Sequence, residues 1–134
     1  MANTTFTGPV RSENGFEDVT KNATTGAFTT NATYNATITG GVQSLSGAGA
    51  VDLTNLVTEL TTTGANALTL ADGSTSGQVK IVNMIVDGGD GTLTPVTFAN
   101  GTTITFDAGA ESVTLVWNST IGWVATSVNG ATVA

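Results

Sequence analysis

The sequence contains no cysteine and no histidine, and only three of its 134 residues are basic. Without cysteine the chain has no disulfide and no thiol nucleophile. Without histidine it lacks the commonest general base and the commonest transition-metal ligand. A surface that binds nucleic acid needs clustered cations to neutralise phosphates. Arg11, Lys21 and Lys80 form no such cluster, so we expect no nucleic-acid partner.

Long apolar runs are also missing. No run approaches the roughly 20 residues of a membrane-spanning helix, and the first six residues combine neither a basic region nor an apolar core. We therefore expect a soluble chain with no membrane partner and no secretory signal. The Asn-x-Thr/Ser triplets, for example at Asn22, Asn31, Asn35 and Asn118, are interpreted as a product of composition and not as glycan sites.

Threonine, alanine, glycine, asparagine and valine dominate the composition, and charged residues make up 10% of the chain. Threonine and valine favour strands, while glycine and asparagine favour turns. The composition therefore predicts an all-β protein. The net charge of −7 favours solubility and suits the outer surface of an assembly.

The clearest strand pattern lies between Pro95 and Trp117. Ile104 and Phe106 alternate with threonines, and Val113, Leu115 and Trp117 share a second face. Such alternation is typical of paired, half-buried strands. No catalytic group accompanies the pattern, so we interpret this stretch as scaffold.

Residues 1–36 carry large apolar side chains at irregular spacing that fits neither a helix nor a strand. Two interpretations remain open, a disordered tail and an extended arm that docks on another surface. We expect an arm, because a purely solvating tail has no use for these side chains. The residues expected to make its contacts are Phe6, Val10, Arg11, Phe16 and Phe28.

Residues 37–134 are predicted to form one small antiparallel β-sandwich or barrel from several short strands. Gly40 and Gly41 suggest a turn between two strands. Residues 51–63 fit either a strand or one short helix, with Asp52 as its N-cap. Pro95 predicts a sheet edge or a bulge, and Asn100-Gly101 predicts a tight hairpin.

The segment 79–86 is apolar on both faces, which predicts a central strand or one covered by a partner subunit. Ile81 and Ile85 are therefore expected at a subunit interface. Trp117 and Trp123 flank a loop, and three roles are open for them: the core, the subunit interface, or stacking against a sugar.

Two segments are candidates for chemistry. Residues 87–91, Asp-Gly-Gly-Asp-Gly, combine two carboxylates with glycines. They lack the ligand spacing of an EF-hand loop, so a turn is favoured over a Ca²⁺ site. Asp107 and Glu111 could form a carboxylate pair for glycoside hydrolysis, but as they flank one loop they are interpreted as solvated charges. We therefore expect no enzyme activity, no metal and no cofactor.

Several runs in the second half of the chain resemble a β module of structural proteins in tailed bacteriophages, notably marine phages and cyanophages. They are Leu-Thr-Leu-Ala-Asp-Gly at 68–73, Gly-Gln-Val-Lys-Ile-Val at 77–82, Asp-Gly-Gly-Asp-Gly-Thr-Leu-Thr-Pro at 87–95, Gly-Thr-Thr-Ile-Thr-Phe-Asp at 101–107, Ser-Val-Thr-Leu-Val-Trp at 112–117 and Gly-Trp-Val at 122–124. The opening residues 6–16 resemble the start of phage head-surface proteins, where an arm precedes the β domain.

The resemblance implies a capsid decoration, or cement, protein. Such a protein binds the outer surface of the phage head as a homotrimer and clamps neighbouring copies of the major capsid protein. The expected location is the virion, and the expected partners are further copies of the chain and the major capsid protein. An alternative is a tail-fibre, head-fibre or spike-associated domain that binds host glycans through the two tryptophans.

Overall fold

The computed structural model describes residues 16–34 and 41–134, and every helix or strand within them is a β-strand. The chain divides into two compact units, Met1–Ile38 and Thr39–Ala134. In the described part of the chain no helix is long and apolar enough to cross a membrane.

The first unit contains an antiparallel hairpin of β1 (Phe16–Lys21) and β2 (Phe28–Tyr34). Asn22 holds its turn, because its side-chain Oδ1 accepts hydrogen bonds from the backbone N–H groups of Thr24 and Thr25 at 2.8 and 2.9 Å. A register shift after Asp18 interrupts the pairing. No pairing was predicted here from the sequence, because the large apolar side chains of residues 1–36 follow neither a strand nor a helix period.

Residues of the predicted arm are therefore divided. Phe6, Val10 and Arg11 lie outside the described residues. Phe16 and Phe28 are the first residues of β1 and β2.

The second unit is a sandwich of two five-stranded sheets. Sheet I has the strand order β11-β10-β7-β5-β3, and sheet II has the order β12-β9-β8-β6-β4. The strands are β3 (Val42–Ser46), β4 (Gly49–Val51), β5 (Val57–Thr61), β6 (Asn66–Leu70), β7 (Val79–Val86), β8 (Gly91–Pro95), β9 (Ile104–Phe106), β10 (Ser112–Asn118), β11 (Gly122–Asn129) and β12 (Thr132–Val133).

Strands β3 to β8 wind back and forth between the two sheets. Each successive pair, β3–β4, β5–β6 and β7–β8, forms one coil, and each strand lies parallel to its counterpart in the next coil. The last four strands then extend both sheets with antiparallel pairs. The prediction of an all-β, sandwich-like fold is confirmed. The prediction of purely antiparallel pairing is wrong, and so is the barrel, because the sheets do not close on each other.

The turns between the two strands of each coil stack on one another. The backbone N–H of Gly47 donates to Thr61 O at 2.9 Å, and that of Thr62 donates to Val86 O at 3.0 Å. The third turn is the Asp-Gly-Gly-Asp-Gly segment, whose Gly88 N–H donates to Thr62 Oγ1 at 2.9 Å. A Cβ at Gly88 would lie 2.3 Å from the backbone oxygen of Thr62. Glycine is therefore required here by the close approach of neighbouring turns.

The core lies between the sheets and draws on both of them. Its buried side chains are Val51, Leu60, Leu68, Leu70, Val82, Met84, Leu93, Ile104, Phe106, Val113, Leu115, Trp117, Trp123 and Ala131. The alternating residues of β9 and β10 face inward as predicted.

The two tryptophans belong to this core. Trp117 is 7% exposed and Trp123 is fully buried, and their rings meet edge to face with centroids 5.4 Å apart. Trp123 Nε1 donates to Ala71 O at 2.9 Å, which satisfies the polar atom that burial would otherwise strand. Burial in the chain's own core removes both side chains from the predicted subunit interface.

Three local predictions are corrected. The helix alternative at 51–63 is wrong, since the segment holds the end of β4, a loop and all of β5. Asn100-Gly101 lies within a longer connection from β8 to β9 and not in a two-residue hairpin. Pro95 is the last residue of β8, and β8 lies inside sheet II and not at its edge. The pairing of β8 with β9 stops at Leu93, before Pro95 is reached. Its missing N–H therefore costs no bond to β9.

Candidate functional site

The outer face of sheet I carries an apolar strip, and we call this strip the Val/Ile face. Val42, Val57 and Ile81 form one row across β3, β5 and β7. A second row crosses β7, β10 and β11, and its members are Val79, Val116 and Val124. Ile81 and Val79 are neighbours on this face of β7, so the two rows form one strip across all five strands.

The Val/Ile face is partly open to solvent. Val42 is 52% exposed and Val79 is 38% exposed, while the other four members of the two rows are half-buried. A polar row lies beside it, with Ser44, Glu59 and Asn83 in register across β3, β5 and β7. An apolar strip with a polar margin is the usual composition of a protein interface.

A bulge adds two more apolar side chains at one end of β7. Leu60 pairs with Met84 and Thr61 pairs with Val86, so Ile85 is left without a partner on β5. Ile85 is 52% exposed and Val86 is 50% exposed. Ile81 and Ile85, the two isoleucines that the sequence pointed to, therefore both have their side chains outside the core.

The outer face of sheet II is different, and we call it the Thr face. Its residues are Ala50, Ala67, Thr69, Thr92, Thr94, Thr105 and Thr132, aligned across the sheet. Threonine hydroxyls bond readily to water, so this face needs no cover. The Val/Ile face is thus suited to cover by another protein surface, and the Thr face is suited to contact with water.

The segment 87–91 is a turn, as favoured above. Asp87 Oδ1 accepts a hydrogen bond from the Gly89 N–H at 2.9 Å, which fixes the turn locally. Over residues 16–34 and 41–134 the acidic side chains form no group of three that could hold a metal ion.

Glu111 is not the solvated charge that the sequence suggested. It is 8% exposed, and its Oε2 accepts a hydrogen bond from the Asp107 N–H at 2.7 Å. Gly130 packs against the same side chain, since a Cβ there would lie 2.8 Å from Glu111 Cγ. The contact of Glu111 with residue 107 is therefore made to the backbone, in a loop that it braces.

A polar group formed by the buried Lys80 and the half-buried Asp52 and Asn55 was not predicted from the sequence. Lys80 points inward from β7, and its side chain is 1% exposed. Its Nζ lies 3.4 Å from Asp52 Oδ1 and donates to the backbone oxygen of Asn55 at 2.8 Å. The burial of Lys80 was predictable from its position in the strand, because Lys80, Val82 and Met84 alternate along β7 and so share the face that points to the core.

No protein-family model matches the chain, and no curated protein is similar to it at a significant level.

Proposed function

We propose that the protein is a non-enzymatic structural protein of a tailed-phage virion, which decorates the head as a homotrimer and stabilises the capsid shell. The observation that carries the proposal is the contrast between the Val/Ile face and the Thr face. One side of the sandwich is suited to water, and the other is suited to a protein contact. The phage assignment is supported by the resemblance of the strand and turn motifs to phage structural proteins.

The size of the Val/Ile face indicates which contacts it can make, those with other subunits or those with the capsid. The whole outer face of sheet I, with five strands about 4.8 Å apart and about five residues of 3.3 Å in each, is a flat patch of roughly 300 Å², and the Val/Ile face is part of it. A stable interface buries about 800 Å² on each partner. The Val/Ile face can therefore supply only part of a subunit interface, and we propose that it forms the centre of that interface while residues 1–36 grip the major capsid protein. Three arms on one trimer would gain affinity by acting together.

The subunit contact is tested by size-exclusion chromatography with light scattering on the full chain. We expect a trimer for the wild type and a monomer for the double variant Val57→Thr, Ile81→Thr. The matched control is Thr69→Ser, Thr94→Ser, which alters the Thr face and leaves the trimer intact. Tryptophan fluorescence shows that each variant is folded, because Trp117 and Trp123 both lie in the core. A folded Val57→Thr, Ile81→Thr trimer would contradict the assignment of this face.

The location is tested by adding the protein to undecorated heads of the phage that encodes it. Wild-type protein is expected to saturate the head surface and raise the temperature at which heads release DNA. The variant Phe6→Ser, Val10→Ser is expected to remain trimeric and to lose binding. Failure of wild-type protein to bind heads, or its appearance on tails by immunogold labelling, would reject the decoration role.

A further inference from the structure

The polar group of Asp52, Asn55 and Lys80 brings together a carboxylate, a carboxamide and a buried amine. The Asp52 carboxylate contacts both other groups. Its Oδ2 accepts a hydrogen bond from Asn55 Nδ2 at 2.7 Å, and its Oδ1 lies 3.4 Å from Lys80 Nζ. Lys80 Nζ also reaches the backbone oxygen of Asn55 at 2.8 Å, which places the amine beside the residue that carries the carboxamide.

The Asn55 side chain is held from two sides. Asp52 binds its nitrogen, and Gly41 packs against its oxygen so closely that a Cβ at that position would lie 2.1 Å from Oδ1. The Asn55 backbone N–H also donates to Asp52 Oδ1 at 2.9 Å. The carboxamide therefore has one fixed orientation, with its nitrogen on the carboxylate and its carbonyl carbon between the two contacts.

Burial favours the neutral form of the lysine. It lowers the pKa of Lys80, and the charge and hydrogen bond of Asp52 oppose this only in part. Burial also disfavours ionised Asp52, but hydrogen bonds from the backbone and side chain of Asn55, together with Lys80, outweigh it and hold the pKa of that carboxyl below its usual value. Desolvation is a known way to activate a lysine nucleophile, and the ionised Asp52 carboxylate is the adjacent group that can take up its proton.

From this geometry we propose that Lys80 and Asn55 become joined by an isopeptide bond, with Asp52 transferring the proton. Asp52 accepts a proton from Lys80, and the neutral Nζ attacks Cγ of Asn55. The Nζ–Cγ bond forms, Asp52 passes its proton to Nδ2, and the Cγ–Nδ2 bond breaks. Nζ gives up a second proton through Asp52 as it becomes an amide nitrogen, and the departing ammonia takes up that proton and leaves as ammonium. The step consumes no oxidant, reductant or co-reactant.

The bond would connect the loop between β4 and β5 to β7. These residues are 25 apart in the sequence, so the cross-link closes a covalent loop that contains the second coil, β5–β6, and ends at the start of β7. Such closure lowers the entropy of the unfolded chain. The inference does not depend on the proposed function, because it concerns chemistry within one subunit.

The scarcity of basic residues gives a clear test. Trypsin can cut the chain only after Arg11, Lys21 and Lys80, and it does not cut after an acylated lysine. We expect the intact wild-type chain to weigh less than its sequence by one ammonia. After denaturation and digestion, residues 22–134 should remain one fragment. Asn-Gly pairs such as Asn100-Gly101 can also lose ammonia by forming a succinimide, but that product leaves Lys80 fully cleavable.

Variants assign the roles. Asn55→Ala, Asp52→Ala and Lys80→Met are each expected to show the full sequence mass, and the first two are expected to be cut completely after Lys80. Asn83→Ala, on the outward face of β7, is the matched control and should retain the cross-link. A wild-type chain with the full sequence mass and complete cleavage after Lys80 would overturn the proposal. Loss of one water, with Lys80 joined to Asp52, would overturn the assignment of Asn55 as the reacting group.

Discussion

Replacing Gly88 by alanine tests whether the stacked turns hold the coils together. The added Cβ would lie 2.3 Å from Thr62 O and 3.1 Å from Thr63 Cα. Both are backbone atoms, so no side chain can rotate to make room. Overpacking of this kind costs about 1–3 kcal/mol.

Relief of the clash would add to this cost. Moving the turn away stretches the bonds from Gly88 N–H to Thr62 Oγ1 and from Thr62 N–H to Val86 O, each worth about 1 kcal/mol. Alanine also restricts the unfolded chain, which returns about 0.4–1 kcal/mol. We therefore expect Gly88→Ala to lower the free energy of unfolding by about 2–4 kcal/mol. For a unit of this size that corresponds to a fall in Tm of roughly 10–25 °C.

The assay is urea and thermal unfolding followed by tryptophan fluorescence, since both tryptophans are in the core of the affected unit. Two glycines provide controls. Gly109 has nothing within 4 Å and no positive φ, so Gly109→Ala should be neutral or slightly stabilising. Gly77 has open space but a φ of +91°, so Gly77→Ala isolates backbone strain at about 1–2 kcal/mol. If Gly88→Ala unfolded at the same urea concentration as Gly109→Ala, the packing of the turns would not be what holds the coils.

Two further outcomes follow from the polar groups. Glu111→Ala should lower the free energy of unfolding, measured in urea, by about 1–3 kcal/mol, because it leaves the Asp107 N–H without its acceptor. The control Glu59→Ala, on the outer surface, should change this free energy little. Equal losses in the two variants would refute a bracing role for Glu111. The pKa of Asp52 lies below its ordinary value of 3.8, so the unfolded chain takes up this proton first as pH falls. The contribution of Asp52 to the free energy of unfolding should therefore be complete above about pH 5 and be lost through pH 3.8 and below. Urea titrations from pH 7 to pH 3 should show a shallower loss for Asp52→Asn, and identical slopes would refute the reasoning.

Side-chain alternation predicted the facing of individual strands but not their neighbours. Val113, Leu115 and Trp117 face the core as their period-2 pattern indicated. That pattern is identical for a strand with parallel or antiparallel partners, because it records only which face is buried. The parallel coils therefore could not be read from it. The double-sided apolar character of 79–86 was more informative, since β7 does lie at the centre of sheet I.

The candidate site was predictable only in part for the same reason. Ile81 was recognised because its own strand is apolar on both faces. Val42, Val57 and Val116 each lie in separate segments with mixed patterns, and only the register places them beside Ile81 and Val79. Lys80 was missed because a single charge in an apolar strand gives no indication of its partners, and Asp52 and Asn55 lie 28 and 25 residues earlier.

The winding of β3 to β8 makes the length of this unit adjustable. Each coil contacts the next through the same ladder of backbone bonds and the same stacked turn, while the antiparallel strands β9 to β12 extend the sheets only beyond the last coil. A repeat that touches only its neighbours can be duplicated without disturbing either end. Inserting a copy of the β5–β6 coil should therefore add one strand to each sheet and widen both sheets by one strand spacing, about 4.8 Å. Such an insertion would leave the terminal strands of both sheets unchanged.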